Sequence, residues 1–474
     1  MKQLFALRVP GSARQTRGPG ARRPSWPWAL AVSALLSACG TGDSTDPSVP
    51  ASCSVADQNT WLSGYMNATY FWTGLSPKPS PVGYSSVPGY FDALLYNGTS
   101  PSFPADRWSY TQTTESFERF YGDGQTLGYG LSVAGVEVTG LPDQPLRVRY
   151  VEPRSDAAAR GVVRGDEVVS VNGRTAASII AADDYSAFTP AAAGNTLTLV
   201  LRNTAGDLRT VTLTAGVYTL TPVSTTAVVT SPGGRKLGYL VVKDMVSQAL
   251  APIDAAFAQF KSAGVQDVVL DLRYNGGGLV SVGASLASYV PGPAAAGQVY
   301  AALLFNDKQA AAYNQTFRFA SSTLAAGVSR VFVLTGPRTC SASEQLINAL
   351  RGVGVTVVAV GDTTCGKPVG FLPESQCGTT FSAVNFESVN ARNEGRYFDG
   401  FGPTCAVDED FTKALGSTSE PLLATAASYA DRGFCPLVEA QPLARNARIQ
   451  ALAQRQAGRP LGDTRGEAQG MWGR

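Results

Sequence analysis

The sequence predicts an α/β protein with a largely parallel sheet covered by helices, joined to smaller units. Between residues 223 and 436, short apolar runs typical of buried strands alternate with amphipathic runs typical of helices. The 50 glycines and 29 prolines favour a chain with many turns over a helical bundle. A hydrophobic content of 44% over 474 residues suffices for a sizeable core, and the length suggests roughly two to four domains.

The elements of this α/β part, residues 223–436, follow from the spacing of apolar residues. Strands are predicted at 237–243, 267–272, 298–304, 331–335 and 355–360. Helices are predicted at 253–263, 279–289, 343–351 and 419–430. In such folds, ligands and active groups lie where strands end, so these ends are where chemistry is expected.

Residues 53–112 contain aromatic-rich amphipathic stretches, at 61–72 and 90–95, with helix-like spacing. They predict a small N-terminal helical cap packed on something larger. An aromatic lip that meets substrate is the alternative.

Residues 113–222 change to short β-like runs separated by Gly, Pro and Asp. The run 150–173 reads as a strand, a helical turn capped by Ser155, a Gly-Asp turn and a strand that ends in Asn-Gly. This run closely resembles a PDZ domain of the bacterial-protease type. The resemblance implies that the loop Gly130-Leu131-Ser132-Val133 receives a peptide C-terminal carboxylate and that the peptide binds as an added strand.

The first 38 residues carry six basic side chains and no acid, followed by a short apolar run at 28–36. This is typical of a secretory signal, and the run is too short for a permanent membrane span. The sequence Leu36-Ser37-Ala38-Cys39 resembles a bacterial lipobox, which implies a lipid-anchored Cys39 after removal of residues 1–38. Ordinary cleavage nearby, with Cys39 incidental, is the alternative. Gly40 resembles the residue of lipoproteins sent to the outer membrane.

The remaining ends are polar. Residues 39–52 predict a flexible tether, and the Arg-rich residues 437–474 predict a disordered basic tail. Without the signal, 32 basic side chains face 36 acidic ones, so no nucleic-acid patch is predicted.

The chain contains no histidine, which excludes Ser-His and Cys-His nucleophile pairs and histidine-ligated metal sites.

Three motifs at strand ends carry candidate chemistry. The strand 268–272 runs into Asn275-Gly276-Gly277-Gly278, which suits an oxyanion hole, a tight turn or a phosphate loop. Ser341 with Glu344 has the spacing of a helix capping box, yet a serine at a helix N-terminus is also a suitable nucleophile. Lys367 follows a glycine after the strand 355–360, where it is either a surface charge or a partly buried general base.

The ordered set Asp-Leu-Arg-x-Asn-Gly-Gly-Gly, Ser-Ala-Ser-Glu and Gly-Lys, behind a PDZ-like segment, resembles the carboxyl-terminal processing (tail-specific) serine proteases. The resemblance implies a crotonase/ClpP-like core that cuts peptide bonds without metal or cofactor. It makes Ser341 the nucleophile and Lys367 the general base. It assigns the oxyanion donors to the backbone N–H of Ala342 and of Gly276 or Gly277.

The sequence departs from the family pattern in one place. Many members orient the lysine with an Asp or a Gln at positions that are Gly352 and Phe371 here. Glu344, Thr363 or Glu374 could substitute, or the enzyme is a bare dyad.

Six cysteines besides Cys39 predict disulfides in an exported chain. Because Cys340 and Cys365 flank the dyad of the resembled family, they are expected to pair. Cys377–Cys405 and Cys53–Cys435 are the remaining expectations.

The leading interpretation is a periplasm-facing lipoprotein of the bacterial cell envelope that cleaves exported or unfolded proteins near their C-terminus. Its partners would be protein or peptide substrates and, through Cys39, a membrane. A non-catalytic binding protein on the same scaffold and an acyl-CoA enzyme of crotonase type are the alternatives, the second disfavoured by the export signal.

Overall fold

The computed structural model describes residues 49–436 and 470–473. The predicted signal peptide, Cys39 and most of the predicted tether lie outside these residues. None of the helices in the described ranges is long and apolar enough to cross a membrane.

The N-terminal part, residues 53–121, consists of three helices and one strand. They are α1 (Val55–Thr69), α2 (Val87–Leu94), β1 (Tyr110–Thr113) and α3 (Thr114–Tyr121). Ser54 caps α1 by accepting a hydrogen bond from the backbone N–H of Asp57. The aromatic residues of the N-terminal part pack into one cluster with residues of the α/β part, including Phe371, Phe381 and Trp472.

A second compact set of strands, residues 125–219, is called the β unit below. It contains β2 (Gln125–Gly128), β3 (Leu131–Val133), β4 (Leu146–Val151), α4 (Asp156–Ala159), β5 (Glu167–Val171), β6 (Arg174–Thr175), α5 (Ala176–Ala182), β7 (Thr196–Arg202), β8 (Leu208–Thr214) and β9 (Gly216–Thr219). The main sheet has the order β3-β4-β5-β7-β8, so β3 is an edge strand. The predicted Ser155 cap on α4 and the Asn172-Gly173 turn between β5 and β6 are confirmed.

The α/β part is built on two six-stranded sheets, and one of its hairpins forms a small third sheet with β1. Its elements are β10 (Val223–Thr230), β11 (Lys236–Val242), α6 (Leu250–Ala263), β12 (Asp267–Asp271), β13 (Gly277–Leu279), α7 (Val280–Ser288), β14 (Val299–Phe305), α8 (Ala310–Tyr313), β15 (Gln315–Arg318), β16 (Arg330–Thr335), α9 (Ala342–Gly352), β17 (Thr356–Gly361), β18 (Val369–Phe371), β19 (Glu374–Gln376), β20 (Thr379–Ser382), β21 (Val384–Val389), β22 (Cys405–Ala406), α10 (Pro421–Arg432) and β23 (Gly470–Trp472). Each strand and helix predicted for this part lies within a few residues of an observed one.

The first sheet has the order β10-β11-β12-β16-β17-β22 and is parallel except for the β10–β11 pair. The second has the order β13-β23-β18-β21-β14-β15, mixes both directions and was not predicted. Helix α9 contacts strands of both sheets and is almost wholly buried. The expectation of one largely parallel sheet therefore covers only the first sheet.

The prediction of a disordered tail over 437–474 was wrong at its end. Residues 470–472 form β23, which pairs in parallel with β13 on one side and with β18 on the other. Met471 and Trp472 are buried. Three residues are too short to produce a periodic pattern in a sequence, and their pairing partners are almost 200 residues earlier for β13 and about 100 for β18.

Three disulfides are present among the described residues. The Cys340–Cys365 pair matches the expectation, whereas the other two pairings were wrong: the bonds are Cys53–Cys377 and Cys405–Cys435. Cys53–Cys377 fastens the start of α1 to the turn between β19 and β20. Cys405–Cys435 joins β22 to the end of α10. Tertiary packing decides such pairings, and sequence spacing does not report it.

An ion-pair network holds the β unit against the α/β part. Arg164 of the β unit donates to the Tyr274 hydroxyl at 2.6 Å and to Glu409 at 2.7 Å. Arg273 bonds Glu420 at 2.9 Å and Asp271 at 2.8 Å, and all three side chains are buried. The Asp-Leu-Arg part of the glycine motif thus anchors the end of β12 by paired, desolvated charges.

Candidate active site

Ser341 stands at the N-terminus of α9 in a strained backbone conformation. Its φ is 60° and its ψ is −114°, a region that side-chain-bearing residues rarely adopt. The side chain is fully buried. Ser341 and Glu344 have the capping-box arrangement that their spacing predicts, yet the Ser341 hydroxyl makes no hydrogen bond of normal geometry among the described residues. A helix cap that only stabilised α9 would use this hydroxyl, because a buried hydroxyl without a partner costs about 1–3 kcal/mol.

Glu344 connects the loop before α9 with the loop that follows β17. Its Oε2 accepts hydrogen bonds from the backbone N–H of Ser341 at 3.0 Å and of Lys367 at 2.8 Å. Its Oε1 accepts from the N–H of Gly366 at 2.8 Å and from the Thr364 hydroxyl at 2.5 Å. Burial raises the pKa of Glu344, and these hydrogen bonds oppose that rise. A single carboxylate therefore sets the backbones of Ser341 and Lys367 side by side.

The Cys340–Cys365 disulfide joins the same two loops covalently. The backbone N–H of Cys365 also donates to the carbonyl of Thr339 at 3.0 Å. Hydrogen bonds and a covalent link thus act together to fix the separation of the two loops.

Lys367 is buried, with 1% of its surface exposed, although it belongs to a residue type that is almost always solvated. Burial lowers the pKa of Lys367 from 10.5 to about 7, and the nearby carboxylates of Asp106 and Glu344 partly offset this effect. A substantial fraction of the side chain is therefore the neutral amine at neutral pH. A neutral amine can accept a proton, which an ordinary lysine cannot do under these conditions.

Phe371, at the position where many family members have Gln, lies under the lysine. The Lys367 Nζ stands 4.0 Å from the centroid of the Phe371 ring. Within residues 49–436 and 470–473, Nζ makes no hydrogen bond to Thr363 or Glu374, two of the expected orienting groups. Glu344, the third, contacts the Lys367 backbone and acts on Nζ only through its charge. The Lys367 side chain is thus positioned by the Phe371 ring and by the hydrogen bond from its backbone N–H to Glu344, and not by a polar side chain that bonds Nζ.

The glycine turn approaches Ser341 from the end of β12. Asn275 accepts from the N–H of Gly277 at 2.8 Å and donates to the Val242 carbonyl at 3.0 Å. The Asn275 carbonyl accepts from the N–H of Cys340 at 3.0 Å. Asn275 thus links the glycine turn to the residue before Ser341, a role that the sequence analysis missed although Asn275 lies inside the motif.

Two glycines of this turn cannot carry a side chain without strain. Gly277 and Gly278 have φ of 111° and 131°. A Cβ on Gly278 would lie 2.2 Å from the Met245 carbonyl oxygen. Gly276 is partly exposed and Gly277 is buried. Since the N–H of Gly277 already bonds Asn275, Gly276 is the better placed of the two to donate to a bound group.

The residues predicted to bind a carboxylate lie at edge strand β3. Gly130 precedes the strand, and Leu131, Ser132 and Val133 form it. They line a groove together with aromatic residues of the β unit, including Tyr150, Tyr185 and Phe188. Gly130 has φ 83°, and a Cβ there would overlap the Ser155 side chain. This groove and the Ser341 site are separate features of the described chain.

The residues of the site do not suit a metal ion. Cys340, Glu344 and Cys365 bring their ligand atoms together, but the two sulfurs are joined in a disulfide and the carboxylate accepts four hydrogen bonds. Thiolates are the sulfur ligands of metals, and a disulfide offers none.

Two segments of the chain match known protein families. The family described as Peptidase family S41 matches residues 236–391, which contain the glycine turn, Ser341 and Lys367, and its N-terminal domain matches residues 57–110. These two segments of the chain are therefore similar to peptidase family S41.

This chain is similar to two curated proteins named as processing peptidases. It is 28% identical over 244 residues to the carboxyl-terminal-processing protease of Picosynechococcus, covering 50% of this chain and 54% of that protein. It is 29% identical over 245 residues to the chloroplastic C-terminal processing peptidase of Tetradesmus obliquus, covering 49% and 50%. The chain thus spans about half the length of the curated relatives that it matches.

A crystal structure assigned to the S41 proteases of Bacteroides fragilis shares the fold. It superposes with a TM-score of 0.60 at 24% identity, over 78% of this chain and 97% of that one.

Proposed function

We propose that this chain is a serine endopeptidase in which Ser341 is the nucleophile and Lys367 is the general base. One observation carries the proposal. A buried, strained serine with an unpartnered hydroxyl and a buried lysine with a lowered pKa lie on two loops that share the Glu344 carboxylate. Neither feature serves the stability of the fold, because both cost free energy.

In the acylation step, the neutral amine of Lys367 takes the proton of the Ser341 hydroxyl while Oγ bonds to the carbonyl carbon of the scissile peptide. The lysine ammonium then gives this proton to the leaving amine as the C–N bond breaks. In deacylation, Lys367 accepts a proton from water, the resulting oxygen attacks the ester, and the proton returns to Oγ. Protons and bonds balance over the cycle, and no cofactor is consumed.

The negative charge on the carbonyl oxygen needs N–H donors that are in place before the reaction. The backbone N–H of Ala342, at the start of α9, is one donor, and that of Gly276 is the other. The positive end of the α9 dipole adds to their effect. Glu344 and Asn275 are positioning residues, since each acts through the backbone of another residue of the site.

The β unit is proposed as a PDZ domain that captures the substrate. An extended C-terminal segment would add to the free side of edge strand β3, with its carboxylate at the Gly130–Val133 loop. The aromatic residues that line the groove would accept apolar side chains. Protein C-terminal segments are therefore the proposed substrates.

The proposed compartment is the bacterial cell envelope, with a lipid anchor on Cys39 that faces the periplasm, on the outer membrane. Three disulfides among the described residues support an oxidising compartment. Export and lipidation can be tested by palmitate labelling of wild type against Cys39→Ala.

The direct test is hydrolysis of casein and of a substrate with an unstructured C-terminal tail by purified wild type, Ser341→Ala and Lys367→Ala. Both variants should lose activity by about 10³-fold or more. The wild-type rate should rise through about pH 7, since neutral Lys367 is required. Equal turnover by all three proteins would remove the proposal.

A further inference from the structure

The strands β13, β23 and β18 form one end of the second sheet, beside the glycine turn and the residues that follow Lys367. Strand β13 (Gly277–Leu279) begins within the glycine turn, and β18 (Val369–Phe371) follows Lys367 by two residues. They do not pair with each other, because β23 (Gly470–Trp472) lies between them and pairs with both. Neighbouring strands are about 4.8 Å apart, so β13 and β18 border a slot about 10 Å wide that fits one extended chain.

The segment in this slot is bound through specific contacts on both of its faces. Successive strand residues point to opposite sides, so Met471 and Trp472 enter different pockets. Met471 lies in the core next to α9, where Gln345, four residues after Ser341, donates to its sulfur at 3.2 Å. Both side chains are at most 2% exposed.

Trp472 fills an aromatic pocket formed by the N-terminal part and β18. Its indole N–H donates to the Tyr121 hydroxyl at 2.6 Å. Its ring lies 4.6 Å from Tyr121, 5.0 Å from Phe117 and 5.6 Å from Phe371. The Lys367 Nζ lies over the ring of this same Phe371. The tail therefore touches elements that carry the nucleophile, the base and the glycine turn.

The end of the segment is held by its backbone. Gln315 donates to the Gly473 carbonyl at 2.7 Å, and the N–H of Gly473 donates to the Phe371 carbonyl at 3.3 Å. A slot bordered by strands on both sides binds a peptide mainly through main-chain groups, and side-chain pockets then choose among sequences.

We propose that residues 470–473 are a tethered ligand of the strand slot between β13 and β18 and occupy the place of an extended peptide substrate. The slot selects a peptide with an apolar residue followed by a bulky aromatic one, the pattern Met471-Trp472. With residues 470–473 in the slot the chain is self-occluded, and a substrate must displace this segment. The occlusion rests on the proposed peptidase function, whereas the binding site itself does not.

The test uses full-length protein with Ser341→Ala, so that no peptide is consumed, and a fluorescein-labelled hexapeptide with the sequence of residues 469–474. Met471→Ser with Trp472→Ser releases the tail. We expect saturable binding to this variant and at least ten-fold weaker binding to the chain with the intact tail, because a tethered ligand competes at an effective concentration of about 1 mM. Equal affinity for both proteins, or no saturable binding to the released one, would overturn the proposal.

Two further variants guard against a folding defect. Phe434→Ser is the matched control, since Phe434 is 60% exposed and lies outside the slot, and it should behave like the intact chain. Tyr121→Phe keeps the ring and removes the acceptor of the indole N–H, so the amides of β13 and β18 should exchange hydrogen several-fold faster. Unchanged exchange in Tyr121→Phe would contradict a specific role for this pocket.

With Ser341 restored, tail release should lower KM several-fold, because the substrate no longer competes with residues 470–473. Cleavage by neither protein would refute the proposed peptidase function, and the peptide-binding result would still decide the tail proposal.

Discussion

The buried Lys367 predicts a stability difference that varies with pH in a defined direction. The pKa of Lys367 is about 7 in the folded protein, against 10.5 for a solvated lysine. For a base with a lowered pKa, the folded state is destabilised at pH values where the unfolded chain binds the proton and the folded one resists it. This cost is greatest below pH 7 and vanishes above about pH 10.5.

Replacing Lys367 by Met removes the charge and keeps an unbranched side chain of similar length. At 1.36 kcal/mol per pKa unit, linkage gives a cost of about 4 kcal/mol at pH 7 and about 1 kcal/mol at pH 10. Because the side chain is 1% exposed, solvent screening reduces this little. Lys367→Met should therefore be more stable than wild type by about 4 kcal/mol at pH 7, and this advantage should shrink by about 3 kcal/mol at pH 10.

Urea unfolding of both proteins, followed by circular dichroism from pH 6 to pH 10, measures the difference directly. Lys413→Met, at an exposed lysine, is the control and should show a small difference that does not follow this pattern. A constant stability difference between Lys367→Met and wild type across the pH range would show that Lys367 is charged in the folded protein, and the argument for a lysine base would fail.

Three further outcomes are expected at the same site. Ser341→Gly should be about 1 kcal/mol more stable than Ser341→Ala in urea unfolding, because Gly tolerates the positive φ at this position. Both variants should be inactive, and equal stabilities would contradict the inference of backbone strain. Glu344→Gln should lower kcat by about 10- to 100-fold with KM little changed, since the amide loses the charge-assisted hydrogen bonds to both loops. An unchanged kcat would contradict the positioning role of Glu344. Removing the disulfide by Cys340→Ser with Cys365→Ser should cost about 3 kcal/mol of stability in urea unfolding and reduce kcat. Full activity without the bond would show that Glu344 suffices to hold the two loops.

The sequence predicts the α/β elements well because each has a long apolar pattern of its own. The strand over 267–272 and the helix over 343–351 are examples, each within one residue of the observed ends. The second sheet escapes such reasoning, since strands like Val369–Phe371 are too short to show a period and acquire their partners only in three dimensions.

The candidate site divides in the same way. Ser341 and Lys367 are recognisable because the ordered set of motifs around them resembles a known family, whereas each residue alone also fits a helix cap or a surface charge. Glu344 reads as a helix cap, and nothing local indicates that its carboxylate also receives the backbone of Lys367. The sequence likewise does not indicate that residues 470–472 form a strand, because the pocket around Trp472 is assembled from residues that are distant in the sequence.

The Cys53–Cys377 bond has a consequence for a protein that is proposed to cut peptides. It joins residues 324 positions apart and closes most of the folded chain into a covalent ring. A single cut in any loop between them opens the ring without releasing a fragment. Nicked molecules would then stay whole on a non-reducing gel and separate into fragments only after reduction. The bond therefore lets the fold tolerate a cut in one of its loops.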